Sequence, residues 1–172
     1  MNKSITNSSE LNTLSLLKIL EELSKELNIQ KWDLGATSSN DISVQVQQGN
    51  AKQLKGSQRN SMTLRVWDNN NKIGITSTSD LTPDGIKKAM KGAIEASRFG
   101  NDKESPEFSS LAKTPLKDIK TNLMKNHGID ELLTILKQAE EKLIHTHESI
   151  DSVPYNGLSE SYMERLYINS EG

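Results

Sequence analysis

Cysteine is absent from the 172-residue sequence, and this absence excludes several kinds of chemistry at once. Without a thiol, the chain cannot form a disulfide, use a cysteine nucleophile or bind a metal through thiolates. A chain without cysteine is compatible with a reducing compartment, so we expect a cytoplasmic protein. Any nucleophile or metal ligand must come from hydroxyls, histidines or carboxylates.

Aromatic and apolar residues are also scarce, at 4% and 33% of the chain. The core must therefore be built from Leu, Ile, Val and Ala, in a chain whose length suits one domain. The net charge is only −2, and no apolar run reaches the length of a membrane span. Composition therefore gives no reason to expect nucleic acid or a membrane as a partner.

The residues that are present change their period along the chain. Leucines recur every three or four residues from 11 to 27, which predicts an amphipathic helix. Ser8 or Ser9 is the expected cap of this helix, and residues 1–10 before it are expected to be disordered.

Four short segments are predicted to be strands, three because they alternate apolar and polar residues and one, the polar second segment, because it follows a turn signal. They cover residues 42–46, 52–58, 62–67 and 73–78. Gly49-Asn50 is the expected turn between the first two, and the polar second strand, with Lys52 and Lys55, is expected at a sheet edge. The four strands predict an antiparallel meander with one apolar face. Its polar reverse face would carry Ser43, Gln45, Thr63, Arg65, Trp67, Thr76 and Thr78.

Helices are expected to cover the apolar face of this sheet. Thr82, Pro83 and Asp84 give the cap, first-turn proline and first-turn acid of a second helix. A third helix is expected after Asp130 as its cap, and Asn156-Gly157 predicts a turn into a further β-hairpin at the C-terminus. The predicted fold class is α+β, with one domain over residues 11–172.

The junction between the last strand of the meander and the second helix has a nucleophile-like composition. Ser77, Thr78 and Ser79 supply hydroxyls, and Asp80 supplies a carboxylate. A hydrolase would need a base against one hydroxyl, and all three histidines lie far away in sequence. Small polar residues that end a strand and start a helix are the alternative interpretation.

His145 and His147 raise the question of a metal site. On a helix the two side chains would point in opposite directions, whereas on an extended segment they would share a face. No third ligand is spaced nearby, and the helical zinc-protease motif and the glycine-rich phosphate loop are absent. A mildly basic hairpin, together with Trp67, suggests nucleic-acid contact or, given the near-neutral net charge, a solvated edge. Its basic residues are Lys52, Lys55, Arg59 and Arg65.

Two further stretches of the sequence are LRVWDNNNKIGITSTSDLTPDGIKKAMKGAIEASRFGNDKESPEF and the C-terminal DSVPYNGLSESYMERLYINSEG. Both resemble the first domain of the TldD/PmbA family, the candidate modulators of DNA gyrase. The order of Arg65 to Trp67, Gly74, Ser77 to Pro83 and the Asn-Ser-x-Gly ending carries the resemblance, which spans about 31–172.

The resemblance implies a zinc metallopeptidase system of paired subunits, with this chain as the N-terminal domain of a longer PmbA/TldE-like chain. In the family, TldD carries a His-Glu-x-x-x-His motif beyond the matched region. No family catalytic residue maps here, so we expect no catalytic residue and no cofactor in this chain. Zinc is expected in a TldD-like partner subunit, a homo-oligomer being the other possibility, and a peptide or unfolded protein is the expected substrate.

The expected role is to wall a peptide-binding cavity, with cleavage carried out by another domain or subunit. An extended peptide would pair with a sheet edge while Thr63 or Arg65 contacts it. The alternative is a non-enzymatic interaction module that binds DNA gyrase or a similar protein partner.

Overall fold

The computed structural model describes residues 13–100, 106–114 and 126–171. Three helices are α1 (Thr13–Glu26), α2 (Pro83–Ser97) and α3 (Ile129–Ile144). Four strands are β1 (Lys31–Gln47), β2 (Asn50–Trp67), β3 (Ile73–Thr78) and β4 (Gly157–Asn169). The strands form one sheet in the order β3-β2-β1-β4, which confirms the α+β class. The predicted disorder of residues 1–10 and the Ser8 or Ser9 cap lie outside the described residues.

The strands are longer than the sequence predicted. The predicted strands 52–58 and 62–67 are one strand, β2, and β1 begins at Lys31 rather than near residue 42. All ten residues at the start of β2 are exposed, so no apolar period marks that part as a strand. The C-terminal element is a single strand, β4, which pairs beside β1 in the same sheet rather than in a separate hairpin.

The turn between β1 and β2 lies one residue earlier than predicted. It is formed by Gln48 and Gly49, with φ angles of 51° and 72°, instead of Gly49 and Asn50. Two successive left-handed residues are the geometry of a tight hairpin turn. Gly49 adopts this conformation without strain, and Gln48 is held there by a carboxylate described below.

The face assignment of β3 was wrong by one residue. β2 and β3 are antiparallel, with Leu64 opposite Thr76 and Arg65 opposite Ile75. Because Leu64 is fully buried, Thr76 lies on the helix-covered face, and so does Thr78 two residues later. Ile75, which is 56% exposed, lies on the polar face instead.

The chain divides into two compact units. Each of the strands β1, β2 and β4 is divided between them, with one part in the first unit and the other part in the second. The first unit contains α1, α2 and β3, and its core lies between these helices and one face of the sheet. Gly74 marks the closest approach of β3 to α2. A Cβ at this position would overlap the Ala93 carbonyl oxygen and lie 2.6 Å from the Ser97 nitrogen. A close helix-on-sheet contact therefore requires glycine here.

The predicted start of α2 is confirmed. Thr82 is the N-cap, its hydroxyl accepts a bond from the Gly85 amide at 3.2 Å, and Pro83 opens the helix. Asp80 accepts bonds from the amide and hydroxyl of Thr82, at 3.0 and 2.6 Å. The Asp80 amide in turn donates to the Thr78 hydroxyl at 3.0 Å. The junction thus uses its polar side chains to end β3 and start α2.

The second unit contains α3 and a smaller core. Leu132 and Leu136 of α3 pack against Val44 and Val46 of β1. Gly128 is the N-cap of α3, so the predicted Asp130 cap was wrong. Asp130 lies in the first turn, where its charge still favours the helix N-terminus. None of the helices in the described ranges has the length and apolar character needed to cross a membrane.

Candidate functional site

The polar face of the first unit is organised around the carboxylate of Asp33. Asp33 follows Trp32 in β1 and lies on the face opposite the core, yet it is only 2% exposed. Arg65 of β2 donates to it through Nε, 2.8 Å from Oδ1, and through Nη2 against Oδ2. The charge of Asp33 is thereby compensated, and the bond raises the pKa of Arg65.

Tyr167 of β4 completes this network. Its hydroxyl donates to Asp33 Oδ2 at 2.8 Å, although the two residues are 134 positions apart in the chain. Partial burial, and then the bond to Asp33, raise the pKa of Tyr167. Three strands are therefore tied together on this face through one carboxylate.

An aromatic cluster lies beside the ion pair. Trp67 is buried, its indole nitrogen donates to the Pro106 carbonyl at 3.2 Å, and its ring meets Phe108 edge-on at 5.1 Å. The Lys31 ammonium lies 4.8 Å from the Trp67 ring centre, and the Arg65 guanidinium lies 5.5 Å from it. Cations over aromatic faces are favourable contacts, so this cluster holds Arg65 from a second side.

The two sequence-predicted site residues, Thr63 and Arg65, lie two positions apart on this polar face. Thr63 is exposed, and its hydroxyl lies 2.9 Å from the Ser77 hydroxyl on β3. Arg65 is directed toward Asp33, with 36% of its side chain exposed. A Cβ added to Gly35 of β1 would meet no atom within 4 Å, so the surface above that strand is open.

β3 is the last strand on one side of the described sheet. It presents Ile75 and Ser77 on the polar face, directly opposite Arg65 and Thr63. An edge strand offers unpaired amide and carbonyl groups, and the alternating side chains beside it can select a partner. The arrangement can therefore accept an extended peptide whose backbone pairs with β3.

The histidines considered as metal ligands lie at the end of α3 and just after it. His145 Nδ1 lies 2.7 Å from the Glu141 carbonyl, and His147 Nδ1 accepts a bond from the Ser149 amide at 3.1 Å. Across the described residues, no three His, Asp or Glu side chains are grouped so as to hold a metal ion. The described residues therefore do not form a site that fits the zinc implied by the resemblance, and we assign no zinc-dependent step to them.

Sequence reasoning did not select Asp33, Tyr167 or Glu140. Asp33 had a usable signal, because Trp32, Leu34 and Ala36 alternate around it as in a half-buried strand. Glu140 of α3 is 3% exposed and accepts bonds from the Gln48 and Gly49 amides, at 3.0 and 2.8 Å. This contact, like that of Tyr167, joins distant parts of the sequence and leaves no local pattern.

The sequence and the fold of this chain are similar to those of known proteins. A family-wide sequence profile described as PmbA/TldA metallopeptidase domain 1 matches residues 32–97. No curated protein matches the chain.

Solved structures that share the fold include the following three. A candidate modulator of a DNA gyrase from Thermotoga maritima is 14% identical with a TM-score of 0.61, over 92% of this chain and 35% of that one. TldE from Thermococcus kodakarensis is 16% identical with a TM-score of 0.57, over 90% and 35%. A candidate modulator of DNA gyrase from Bacteroides thetaiotaomicron is 16% identical with a TM-score of 0.65, over 92% and 37%.

The chain thus spans about a third of the length of each of these structures. At this identity they establish the fold, and the profile covers the part of the chain from β1 to α2. Residues 32–97 are therefore similar to the first domain of the PmbA/TldA metallopeptidase family.

Proposed function

We propose that this chain is the first domain of a PmbA/TldE-like subunit and walls a peptide-binding cavity in a cytoplasmic metallopeptidase assembly. The description of the matched family domain, which names a metallopeptidase, supports the reaction class. The TldE relative supports the PmbA/TldE side. Peptide cleavage is proposed for the assembly, with zinc held by a TldD-like partner subunit or by another copy in a homo-oligomer.

The observation that carries the peptide-binding role is the position of β3 as the last strand of the described sheet. Ile75 and Ser77 lie on its polar face beside Thr63, while α2 covers the other face. A peptide in extended form can pair its backbone with β3 and place alternate side chains against Ile75 and the two hydroxyls. Arg65 lies one strand further in, and its exposed N–H groups can donate a hydrogen bond to a peptide carbonyl while it still binds Asp33.

The binding test uses an extended peptide that is acetylated at its N-terminus and amidated at its C-terminus. Its affinity is measured by titration for the wild-type chain and for Thr63→Val and Ser77→Ala. Loss of one hydrogen bond should weaken binding by about threefold to tenfold. Thr76→Val is the matched control, because Thr76 lies next to Ser77 on β3 but faces α2. Wild-type affinity in both Thr63→Val and Ser77→Ala would contradict the proposed site.

The contribution of Arg65 to peptide binding needs a separate measurement, because Arg65 also stabilises the fold. The affinity of Arg65→Ala should be compared with that of Arg65→Lys at equal folded fractions, measured by circular dichroism. We expect the alanine variant to bind more weakly than the lysine variant. Unchanged peptide affinity in folded Arg65→Ala would remove Arg65 from the site and leave the edge of β3 in place.

The assembly is tested by isolating the chain with its partners from the native cell. We expect a zinc-containing subunit and peptidase activity in the isolated complex. Two relatives are described as candidate modulators of DNA gyrase, so a gyrase subunit is the alternative partner. Recovery of gyrase without a peptidase subunit would favour a non-enzymatic interaction module.

A further inference from the structure

A small cavity lies in the second unit, and its lining includes none of the residues of the proposed peptide site. Its volume is about 250 Å³. It is lined by Gln45, Val46, Gln47, Lys52, Val153, Pro154, Tyr155 and Asn156. Pockets for drug-sized ligands measure roughly 300–1,000 Å³, so this cavity suits a group about the size of one amino-acid residue.

The lining combines donors with an apolar wall. Lys52 is its one charged residue, and the side-chain amides of Gln45 and Gln47 can donate hydrogen bonds. Val153 and Pro154 supply apolar surface. A cation with neutral donors and no acid in the lining favours a ligand that carries a negative charge next to a short apolar group.

The loop that lines one side of the cavity, residues 153–156, contains a residue in an unfavourable backbone conformation. Tyr155 has a φ of 61° and a fully exposed side chain, an uncommon state for a bulky residue. Next to it, the side-chain amide nitrogen of Asn156 (Nδ2) is buried and has no hydrogen-bond partner within the described part of the chain. The Asn156 carbonyl accepts a bond from the Val46 amide at 3.1 Å, which anchors the loop to β1. Backbone strain beside an unpaired group is typical of ligand-binding loops.

We infer that this cavity binds the α-carboxylate of an apolar amino-acid residue. Lys52 pairs with the carboxylate, the glutamine amides donate to its oxygens, and the side chain of the residue contacts Val153 and Pro154. Such a carboxylate is available at the C-terminus of a peptide or on a free N-acylated amino acid. The peptide source rests on the proposed function, whereas the carboxylate site itself does not.

The test compares acetyl-Ala-Leu as the free acid with its C-terminal amide, by NMR titration of the 172-residue chain. We expect the acid to bind about fivefold more tightly, with shifts at the Val46 and Asn156 amides. Lys52→Gln should abolish the preference for the acid. Lys55→Gln, on the same strand but outside this lining, should preserve it. Equal affinity for acid and amide, or an acid preference retained in Lys52→Gln, would overturn the inference.

A second comparison separates the two sources and the two sites. Acetyl-leucine that binds as tightly as the acetylated dipeptide acid would support the free amino acid as the ligand, and weaker binding would support a peptide C-terminus. The doubly blocked peptide used for β3 lacks the carboxylate, so its affinity should not change in Lys52→Gln. Failure of the carboxylate site would therefore leave the proposed function standing, and failure at Thr63 and Ser77 would leave the carboxylate site standing.

Discussion

Arg65 and Asp33 form a two-pronged ion pair, in which the guanidinium Nε lies 2.8 Å from Oδ1 and Nη2 contacts Oδ2. The carboxylate is 3% exposed and the arginine side chain is 36% exposed. If the pair were broken, water could solvate the arginine in part but could hardly reach the carboxylate. Asp33 depends on Arg65 for the compensation of a buried charge. Arg65 thus stabilises the sheet and also contributes to the proposed peptide site.

Arg65→Ala should destabilise the protein by about 2–3 kcal/mol, because among the described residues it leaves the Asp33 charge with the Tyr167 hydroxyl as its remaining side-chain partner. This loss is smaller than the roughly 3–5 kcal/mol of a fully buried broken pair, because the Arg65 side chain is 36% exposed to water. Urea unfolding followed by circular dichroism measures it. Arg98→Ala, an exposed arginine after α2, is the control and should change stability by less than about 0.5 kcal/mol. An equal effect in both variants would contradict the structural role of the pair.

Gly74→Ala should prevent folding or lower the free energy of unfolding by more than about 3 kcal/mol. The new methyl group would overlap the Ala93 carbonyl, which belongs to the helix backbone and has no room to move. Gly35→Ala is the matched control on β1, where the methyl group meets nothing within 4 Å, and it should be nearly neutral. Thermal unfolding of both variants is the measurement. A mild effect of Gly74→Ala would show that α2 and β3 are further apart than described.

Glu140→Gln should loosen the turn between β1 and β2. The carboxylate accepts bonds from the Gln48 and Gly49 amides, and a glutamine can accept with only one of its two groups. We expect a loss of about 1–3 kcal/mol and faster hydrogen exchange at these two amides. Glu141→Gln changes an exposed neighbour on the same helix and should leave their exchange unchanged. Unaltered exchange in Glu140→Gln would contradict the assigned role of the buried carboxylate.

Tyr167 predicts how stability depends on pH on the alkaline side. Its pKa is raised above the model-compound value of 10.0 by partial burial and by the bond to Asp33. A raised pKa means that the contribution of Tyr167 is complete below the unfolded-state pKa and is lost as the pH rises through the folded-state pKa. Urea unfolding from about pH 8 to 11 should show this loss.

Tyr167→Phe is the control for this pH dependence. The variant should lose about 1 kcal/mol at neutral pH, because its hydrogen bond to Asp33 is gone. It should also show a smaller decline in stability on the alkaline side than the wild type. If the stability of the wild type and of Tyr167→Phe fell equally at alkaline pH, groups other than Tyr167 would be responsible for the loss.

Local sequence signals predicted the elements that have local causes. Thr82 and Pro83 set the start of α2 through a cap and a fixed φ, and both features are found where the sequence indicates them. The first part of β2 was divided wrongly, because its ten exposed residues have no apolar period. Its strand conformation comes from backbone pairing with β1, which side-chain patterns do not report.

The polar site was predictable only in part. Thr63 and Arg65 were placed on the polar face by their alternation with Met62, Leu64 and Val66, and the register with β3 confirms that face. The partners of Arg65 come from β1 and β4, so no spacing in the sequence links them. Thr76 was assigned to the wrong face because Gly74, which has no side chain, was not recognised as the helix-facing residue.

Hydrogen exchange at β3 tests the central claim most directly. The amides of residues 73–78 would be measured in the 172-residue chain with and without a saturating doubly blocked extended peptide. Pairing of the peptide with the edge of β3 predicts slower exchange at alternate amides of this strand, and weaker protection at the same peptide concentration in Ser77→Ala. Unchanged exchange along β3 while the peptide is bound would contradict the account.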